Sequence, residues 1–457
     1  MLGRRYHSVA FGLWAVSDIF PQSPLDMQRS LTGLLLISLL LGRAIAQTPL
    51  ANWFDLQWEA ELGLSTFRTQ LTIDPETGHL VFPSNGERRD MLGDPKDGVY
   101  VIDPATGQVL RHLHQDGPID GDVNGVALAD DWLYFGDDQR TVYAYRQGER
   151  AWYYPIGVKD PVRQGDLERA PVLADLTGDA VLDVVIAAEE YGLLALDGRD
   201  GTRLWEVSGQ MGHGHGLNQP ALLDVNDDGT PDLIWGTRTE QAFKGPGDRW
   251  GTYGDWLMAL DGRDGSLLWQ VPTYSAIHAS PQVIDLAGES YVLLAATYST
   301  LHLLTPQGQV VAKEAFPLPE GGISAFFSSP FLTDAGRVII GTSWWGEEDG
   351  VWVVDLTQQE PVADGPARLP QARFIRAGRV SATAVSGDVM PAPGPEVLIP
   401  TEAGELLILA TDGSLLERLV LPAGVEASVL VADIDQDGRV ELVIASLDGW
   451  LRCYEPQ

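Results

Sequence analysis

Short acidic loops in the sequence carry side-chain oxygens at the spacing that a hard cation needs. The clearest loop begins at Asp224 and places oxygen-bearing side chains at its positions 1, 3, 5 and 9, with Gly229 at position 6 for a sharp turn. Calcium binds roughly six to eight oxygens, which alternating side chains and a backbone carbonyl of one short loop can supply. The loop lacks the later glutamate of an EF-hand, so we expect a different kind of calcium loop.

Two further loops repeat this pattern. One begins at Asp433 and keeps the glycine, as Gly438, whereas the other begins at Asp175 and has Ala180 in the glycine position. Asp, Asn and Gly are also good turn formers, so plain turns are the alternative. The predicted calcium ligands are Asp224, Asn226, Asp228, Thr230 and Asp232 in the first loop, Asp433, Asp435, Asp437, Arg439 and Glu441 in the second, and Asp175, Thr177, Asp179 and Asp183 in the third.

Aromatic, histidine and arginine side chains gather in the longer connections between the acidic loops. Loops with several aromatic side chains often bind a ligand, although packing of one loop on another is the alternative. Two glycine-flanked histidines, His213 and His215, could hold a metal together with His278, with surface histidines on a flexible crossover as the alternative. The candidate binding residues are Arg169, His213, His215, Trp250, Tyr253, Trp256, His278, Trp344 and Trp345.

The sequence gives no support for catalysis. It contains no nucleophile elbow, phosphate-binding loop or zinc-binding helix motif, and its glycines stand in turns of a different context. We therefore predict no catalytic residues.

An internal repeat shows which elements must position these residues. Residues 193–207 (LLALDGRDGTRLWEV) and 257–271 (LMALDGRDGSLLWQV) are near copies, each an apolar strand, a glycine turn and a second strand with a tryptophan. A strand pair precedes each copy, and it recurs at 170–187, 219–236 and 428–445. The unit is therefore four antiparallel strands, a to d, repeated about every 50 residues, which is typical of propeller blades.

This repeat predicts an all-β fold, a β-propeller of eight four-stranded blades, with seven as the alternative. The last unit is one strand short, and residues 53–63 resemble a fourth strand. We expect this N-terminal strand to pair into the last blade and close the ring, because closure removes an exposed sheet edge. Cys453 aligns with Leu196 and is expected to be a thiol in the core.

Strand parity assigns the loops to two faces of the ring. In a four-stranded meander the a–b and c–d turns share one face, and the b–c and d–a loops share the other. The acidic loops are a–b turns, so calcium in them would be structural. The candidate binding residues belong to the opposite face.

The repeat also carries a resemblance to known families. It resembles the tryptophan-docking motif of quinoprotein-like (PQQ-like) propellers, and the acidic loops resemble the calcium loops of FG-GAP and integrin-type propellers. The resemblance implies that the tryptophan packs between neighbouring blades and that the motif holds the ring together. The motif residues are Ala195, Asp197, Gly201 and Trp205, repeated as Ala259, Asp261, Gly265 and Trp269.

The N-terminal region has the features of an export signal. Arg29 is followed by an apolar run over residues 31–41 and by the small-residue sequence Ala44-Ile45-Ala46. We expect translation to start at Met27 and cleavage to follow Ala46, so that 1–46 is an upstream stretch plus signal peptide and 47–457 is one propeller domain. A periplasmic or extracellular protein is therefore expected.

Charge and cysteine content exclude several kinds of partner and cofactor. The net charge of −34 repels nucleic acid and anionic membranes, since both bind through Lys and Arg. Cys453 stands alone, so neither a disulfide framework nor a C-x-x-C-H haem site is present. No cysteine near the cleavage site offers a lipid anchor, and the apolar run is too short to span a bilayer.

These features favour an exported, non-enzymatic propeller that acts as a binding or scaffold module stabilised by calcium. We expect a monomer that binds a protein or a polysaccharide on the face of the b–c and d–a loops. One alternative, implied by the resemblance alone, is a PQQ-dependent dehydrogenase; we do not expect PQQ, because the chain has neither a cysteine pair nor a haem site. The other alternative is a propeller subunit of outer-membrane assembly.

Overall fold

The computed structural model describes most of the chain from Gln47 onward. The described residues are 47–88, 92–113, 121–156, 167, 169–188, 192–208, 218–237, 242–244, 250–252, 255–273, 276–296, 300–316, 325–343 and 349–457. The predicted signal peptide lies outside them.

The described residues form β-strands joined by turns, with one short 3-10 helix at Leu50–Asn52. The strands up to the middle of the chain are β1 (Thr48–Pro49), β2 (Phe54–Glu61), β3 (Thr72–Ile73), β4 (Leu80–Asn85), β5 (Asp97–Ile102), β6 (Val109–Leu113), β7 (Val126–Ala129), β8 (Trp132–Gly136), β9 (Thr141–Arg146), β10 (Glu149–Pro155), β11 (Val172–Ala174), β12 (Asp183–Ala188), β13 (Gly192–Leu196), β14 (Arg203–Ser208), β15 (Ala221–Leu223), β16 (Asp232–Gly236), β17 (Ala242–Lys244), β18 (Trp250–Thr252), β19 (Trp256–Leu260) and β20 (Leu267–Pro272). The remaining strands are β21 (Gln282–Leu286), β22 (Glu289–Ala296), β23 (Thr300–Leu304), β24 (Val310–Ala315), β25 (Phe331–Leu332), β26 (Arg337–Gly341), β27 (Gly350–Asp355), β28 (Glu360–Val362), β29 (Gly365–Arg368), β30 (Ala372–Arg376), β31 (Val385–Gly387), β32 (Glu396–Pro400), β33 (Glu405–Leu409), β34 (Leu415–Val420), β35 (Leu430–Ala432), β36 (Glu441–Ala445) and β37 (Trp450–Pro456).

These strands build eight blades, each an antiparallel meander of four strands. The fold is the predicted eight-bladed propeller, and a seven-bladed ring is ruled out. Blades 1 to 3 are β3–β6, β7–β10 and β11–β14; blade 4 is β15, β16, β19 and β20; blade 5 is β21–β24; blade 6 is β25, β26, β27 and β30; blade 7 is β31–β34; and blade 8 is β35, β36, β37 and β2. The b–c loop of blade 4 contains the separate hairpin β17–β18.

The core lies between the blades. The second and third strands of a blade are buried on both faces, as β12 and β13 show at every residue. One hydrophobic cluster joins Val185 and Ala195 of blade 3 to Leu233 and Met258 of blade 4. A single blade cannot bury two apolar faces by itself, so each blade depends on both neighbours and the ring must close.

The N-terminal strand closes the ring, as predicted. β2 pairs antiparallel with β37, from Phe54 opposite Pro456 to Glu61 opposite Trp450. Cys453 is buried in this blade, but it takes the position of Ala195 and not of Leu196. The alignment by sequence was wrong by one residue, because this blade has no c–d turn and its register is set only by strand pairing.

One tryptophan at each of four blade interfaces links neighbouring blades. The indole of Trp205, on the outer strand of blade 3, donates a hydrogen bond of 2.8 Å to the carbonyl oxygen of Gly262 in the c–d turn of blade 4. The same contact is made by Trp58 to Pro104 (2.7 Å), Trp152 to Gly198 (3.1 Å) and Trp269 to Pro306 (2.9 Å). Each tryptophan lies opposite a small residue of its own blade. These residues are Cys453 for Trp58, Ala144 for Trp152, Ala195 for Trp205 and Ala259 for Trp269.

A glycine of the neighbouring turn makes room for each indole. Gly201 and Gly265 have φ of +74° and +73°, a conformation that favours glycine. A Cβ on Gly201 would lie 2.7 Å from the ring of Trp152, and one on Gly265 would lie 2.9 Å from that of Trp205. Both the turn conformation and the close approach therefore require the glycine of the repeat.

We predict that Trp205→Phe destabilises the protein by about 1 kcal/mol more than Trp235→Phe does, because a hydrogen bond typically contributes ~1 kcal/mol. Both indoles are buried, but Nε1 of Trp235 has no hydrogen-bond partner among the described residues. Trp235→Phe therefore measures the loss of packing alone. Urea unfolding of the two variants gives the comparison, and equal losses would contradict a role for the indole N–H.

Candidate functional site

The last carboxylate of each acidic loop, at position 9, is a buried hydrogen-bond acceptor. Oδ2 of Asp232 accepts the Val225 N–H at 2.9 Å, and Oδ1 accepts the N–H of Gly262 at 3.1 Å. Asp183 likewise accepts the N–H of Leu176 in its own loop at 3.0 Å and the N–H of Gly198 at 3.4 Å. Burial raises the pKa of both carboxyls. These side chains clamp the a–b loop to the c–d turn, a role that the sequence reasoning missed and that requires no metal.

Arginine side chains pair with aspartates in all three acidic loops. In blade 4, Arg263 pairs with Asp228 at 2.9 Å and also donates to Thr230 Oγ1 at 2.9 Å. In blade 3, Arg199 pairs with Asp179 at 2.6 Å. A guanidinium therefore already supplies positive charge beside the predicted calcium ligands of these two blades.

The loop of blade 8 has a different arrangement. Carboxylate oxygens of Asp433, Asp435 and Glu441 all lie within 4.8 Å of one another. Burial raises the pKa of Glu441, and the nearby aspartates raise it further. The side chain of Arg439 pairs with Glu455 as well as with Asp437. Of the three loops, this one brings its carboxylates together as a hard cation requires.

Several candidate binding residues lie outside the described residues, namely His213, His215, Tyr253, Trp344 and Trp345. Trp250 lies in β18, of which only the backbone is described. Trp256 begins the third strand of blade 4 and packs partly buried against the core between blades 3 and 4. The structure brings Arg169 and His278 together.

A polar cavity of about 400 Å³ lies where the innermost strands of all eight blades meet. Every blade contributes at least one residue to its wall. The residues that precede the first strand are mostly small or polar: Thr69, Gln219, Ser280, Ser329, Thr383 and Ser428. Since the d–a loops lead into these strands, the cavity belongs to the face on which a binding site was predicted.

Hydroxyl groups connect neighbouring blades around this cavity. The N–H of Gln219 donates to Ser280 Oγ at 3.0 Å, and the N–H of Ser280 donates to Ser329 Oγ at 3.2 Å. The chain continues from Ser329 to Thr383 at 3.0 Å and from Thr383 to Ser428 at 3.1 Å. The sequence analysis did not predict this chain of hydrogen bonds. A signal for it was present, because a polar residue before proline recurs as Gln219, Ser280 and Ser329.

Arg169 extends across the cavity. It is a residue of blade 3, yet its guanidinium lies 5.5 Å from the ring of Phe67, which precedes blade 1, and 3.4 Å from the carbonyl oxygen of His278, which precedes blade 5. Phe67 in turn packs edge-on against Phe327 at 5.6 Å. Arg169 is 8% exposed, and burial lowers its pKa to about 10. Even so, it keeps its positive charge at neutral pH.

Buried carboxyl groups lie on the same face, between blades 1 and 2. Asp94, Asp97 and Asp122 are each at most 1% exposed. Burial, followed by the charge of Asp122 and a hydrogen bond with it, raises the pKa of Asp97 to about 8. Tyr100, Asp94 and the imidazole of His112, which contacts the Asp97 carbonyl at 2.8 Å, also face this group. The folded protein therefore holds a proton on this group at a higher pH than the unfolded chain does.

We predict that the protein loses stability as pH rises from about 4 to about 8, because the folded state holds a proton on Asp97 that the unfolded chain releases near pH 4. Asp97→Asn mimics the protonated group and keeps an acceptor for the Gly121 N–H, so it should flatten this dependence. Glu149→Gln, on the exposed part of β10, is the control. Melting temperatures between pH 5 and 8.5, measured with chelator present, give the result; parallel curves for Asp97→Asn and the unchanged protein would contradict it.

Comparisons with known proteins agree with this geometry. A family model described as outer membrane protein assembly factor BamB matches residues 95–230, which is less than half of the chain. BamB from Moraxella catarrhalis matches in structure with a TM-score of 0.55 and 14% identity, covering 88% of this chain and 99% of that one. Quinohemoprotein alcohol dehydrogenase from Comamonas testosteroni matches with a TM-score of 0.61 and 14% identity, over 90% and 78% of the two chains. The fold is that of PQQ-like β-propellers.

A further solved structure shares the same architecture. Sqt1 from Saccharomyces cerevisiae matches with a TM-score of 0.60 and 10% identity, covering 88% of this chain and 99% of that one. At such identities the likeness concerns the fold, which hosts many functions. None of the curated proteins matches this chain in sequence. Within the described ranges, no helix has the length and apolarity needed to cross a membrane.

Proposed function

We propose that this protein is a non-enzymatic binding scaffold of the periplasm or the extracellular space. In this proposal it binds a carboxylate group of a protein partner at the cavity on the propeller axis. The observation that carries the proposal is the buried guanidinium of Arg169, which crosses a cavity lined mainly by hydroxyl and amide side chains.

The chemistry of this cavity suits an anionic group. A guanidinium presents its N–H groups in a planar fork that matches a carboxylate, and the pair is stronger where water is excluded. Ser329 and Thr383 accept backbone hydrogen bonds through their oxygens, and a hydroxyl also has a proton that it can donate. The net charge of −34 opposes the approach of anions in general, so binding must depend on close contacts in the cavity.

A protein partner fits better than a polysaccharide. The family model that matches residues 95–230 is described as an assembly factor, and such a role involves other proteins. The cavity is about 400 Å³, enough for a side chain of a partner but not for a folded domain. The long b–c loops of the same face would contact the rest of the partner.

The proposal is tested with a capped peptide that contains one glutamate and with its glutamine analogue. We expect the glutamate peptide to bind roughly tenfold more tightly in calorimetry, since a charge-assisted pair adds about 1.5 kcal/mol or more. Arg169→Gln should abolish this preference. Arg203→Gln removes an arginine that is half exposed on the outer strand of the same blade, and it should leave the preference unchanged.

Three results would overturn the proposal. Equal binding of the two peptides by the unchanged protein would exclude a carboxylate site. Binding of oligogalacturonate without binding of the peptide would assign the site to polysaccharides. Substrate-dependent dye reduction after addition of PQQ and calcium would show an enzyme. If Arg169→Gln does not fold, Ser329→Ala serves instead, with a loss of about threefold expected for one neutral hydrogen bond.

Calcium in the acidic loop of blade 8 is a second part of the proposal. Asp433, Asp435 and Glu441 would supply carboxylate oxygens, and the Arg439 carbonyl is a further candidate ligand. The ion would stabilise the blade by relieving repulsion among these groups. The loops at Asp175 and Asp224 stay weaker candidates, since three carboxylates do not converge in them as Asp433, Asp435 and Glu441 do in blade 8.

We predict that a chelator lowers the melting temperature of the protein and that Asp435→Asn removes most of this effect. An ion present at a hundred times its dissociation constant stabilises the folded state by about 2.7 kcal/mol. Asp228→Asn, in the loop where Arg263 provides positive charge, is the matched control and should keep the chelator effect. Scanning calorimetry with and without EDTA gives the comparison. An unchanged melting temperature in the presence of EDTA would mean that the loops are turns only.

A further inference from the structure

The interface between blades 1 and 2 lacks the tryptophan of the repeat. Arg111 lies opposite Val101 in blade 1, as Trp205 lies opposite Ala195 in blade 3, and a register shift follows at the same point in both blades. Nη1 of Arg111 donates to the carbonyl oxygen of Gln147 in the c–d turn of blade 2, at 2.6 Å. Arg111 therefore takes the place of the indole beside the turn glycine, Gly148, and keeps its polar contact.

A groove lies beside Arg111, between the two blades. The groove has a volume of about 330 Å³. Apolar side chains of both blades form its walls: Val81, Val101, Leu110, Leu113, Leu128 and Tyr145. Leu110, on the outer strand of blade 1, is 42% exposed. We call this feature the interblade groove.

Acidic side chains surround the opening of the interblade groove. Asp74 and Glu76 belong to the a–b turn of blade 1, and Asp130 and Asp131 to that of blade 2. Asp131 pairs with Arg146, so the other three provide most of the negative charge. Because a–b and c–d turns form this opening, the groove lies on the face opposite the cavity of Arg169.

We infer that the interblade groove binds an aromatic side chain, tryptophan above all, that a partner protein presents beside a lysine or an arginine. The inference goes beyond the proposed function, since it concerns a second site on the other face. The argument from shape is that the groove lies beside Arg111, at an interface whose four equivalents each hold an indole. Its charge argument is the acidic rim, which favours a cationic neighbour of the aromatic ring.

The energetics favour a buried anchor of this kind. Aromatic anchors in well-packed pockets contribute most of the affinity in many protein interfaces. Covering the exposed side chain of Leu110 would make binding more favourable, because apolar surface is removed from water. A rim of carboxylates adds selectivity for a basic segment and makes the association sensitive to salt.

The test uses three capped pentapeptides whose central residues are lysine-tryptophan-lysine, lysine-alanine-lysine and glutamate-tryptophan-glutamate. We expect only the first to bind measurably, with affinity that falls as salt is raised. Arg111→Trp places an indole in the groove and should weaken binding roughly tenfold or more, the loss expected of a blocked anchor site.

A second pair of variants keeps the test independent of Arg111. Leu110→Ala removes part of the groove wall and should weaken binding of the lysine-tryptophan-lysine peptide. Leu416→Ala, at a similarly exposed leucine on the outer strand of blade 7, should leave it unchanged. Arg169→Gln should also leave it unchanged, which separates this site from the proposed carboxylate site.

Other outcomes would overturn the inference. Equal binding of the tryptophan and alanine peptides would mean that charge alone is recognised. Binding that survives both Arg111→Trp and Leu110→Ala would place the peptide elsewhere. Self-association that Arg111→Trp abolishes, without any peptide binding, would assign the groove to a second copy of this chain.

Discussion

The propeller depends on contacts between blades, and the indole hydrogen bond to the neighbouring c–d turn is the most specific of them. Trp58, Trp152, Trp205 and Trp269 each place a large aromatic ring and one N–H donor between two sheets. The ring needs a glycine on one side and a small residue on the other, so three positions of the repeat are constrained together. A buried indole N–H without an acceptor would cost free energy of folding. The turn must therefore place its carbonyl oxygen where the packed ring can donate to it.

The other interfaces show what happens when this residue changes. Arg111 and Arg373 keep a hydrogen bond to the next turn, to Gln147 and Gly413. Blade 5 has Ala312 at the same place, and the hairpin β28–β29 of blade 6 pairs with it there. The outer strand of blade 7 pairs with β1 instead. Each departure from the repeat is compensated by another part of the chain, except that the interblade groove beside Arg111 stays open on its surface.

Neighbouring blades are held together by different contacts at their outer and inner edges. The surface therefore carries two kinds of site. At the outer edge, indoles give apolar contacts with a single polar group. At the axis, the chain of hydrogen bonds from Gln219 to Ser428 gives polar contacts, so the cavity there is lined by hydroxyls. A buried cation such as Arg169 is tolerated at the axis because carbonyl oxygens and aromatic rings face it.

Local sequence determined much of this protein. The alternation of apolar strands and glycine turns gave the four-stranded unit, and its recurrence gave the ring, because a blade with two apolar faces must be flanked by others. The closing role of the strand around Trp58 also followed, since one unit lacked a strand. Only the tertiary structure decided how the acidic and basic side chains are used. Asp232 serves as a clamp, Arg263 enters a loop 35 residues away, and Arg169 contacts Phe67 and His278, because neighbours in space that are far apart in sequence set these roles. The groove beside Arg111 likewise exists only where two blades meet, so no local pattern could reveal it.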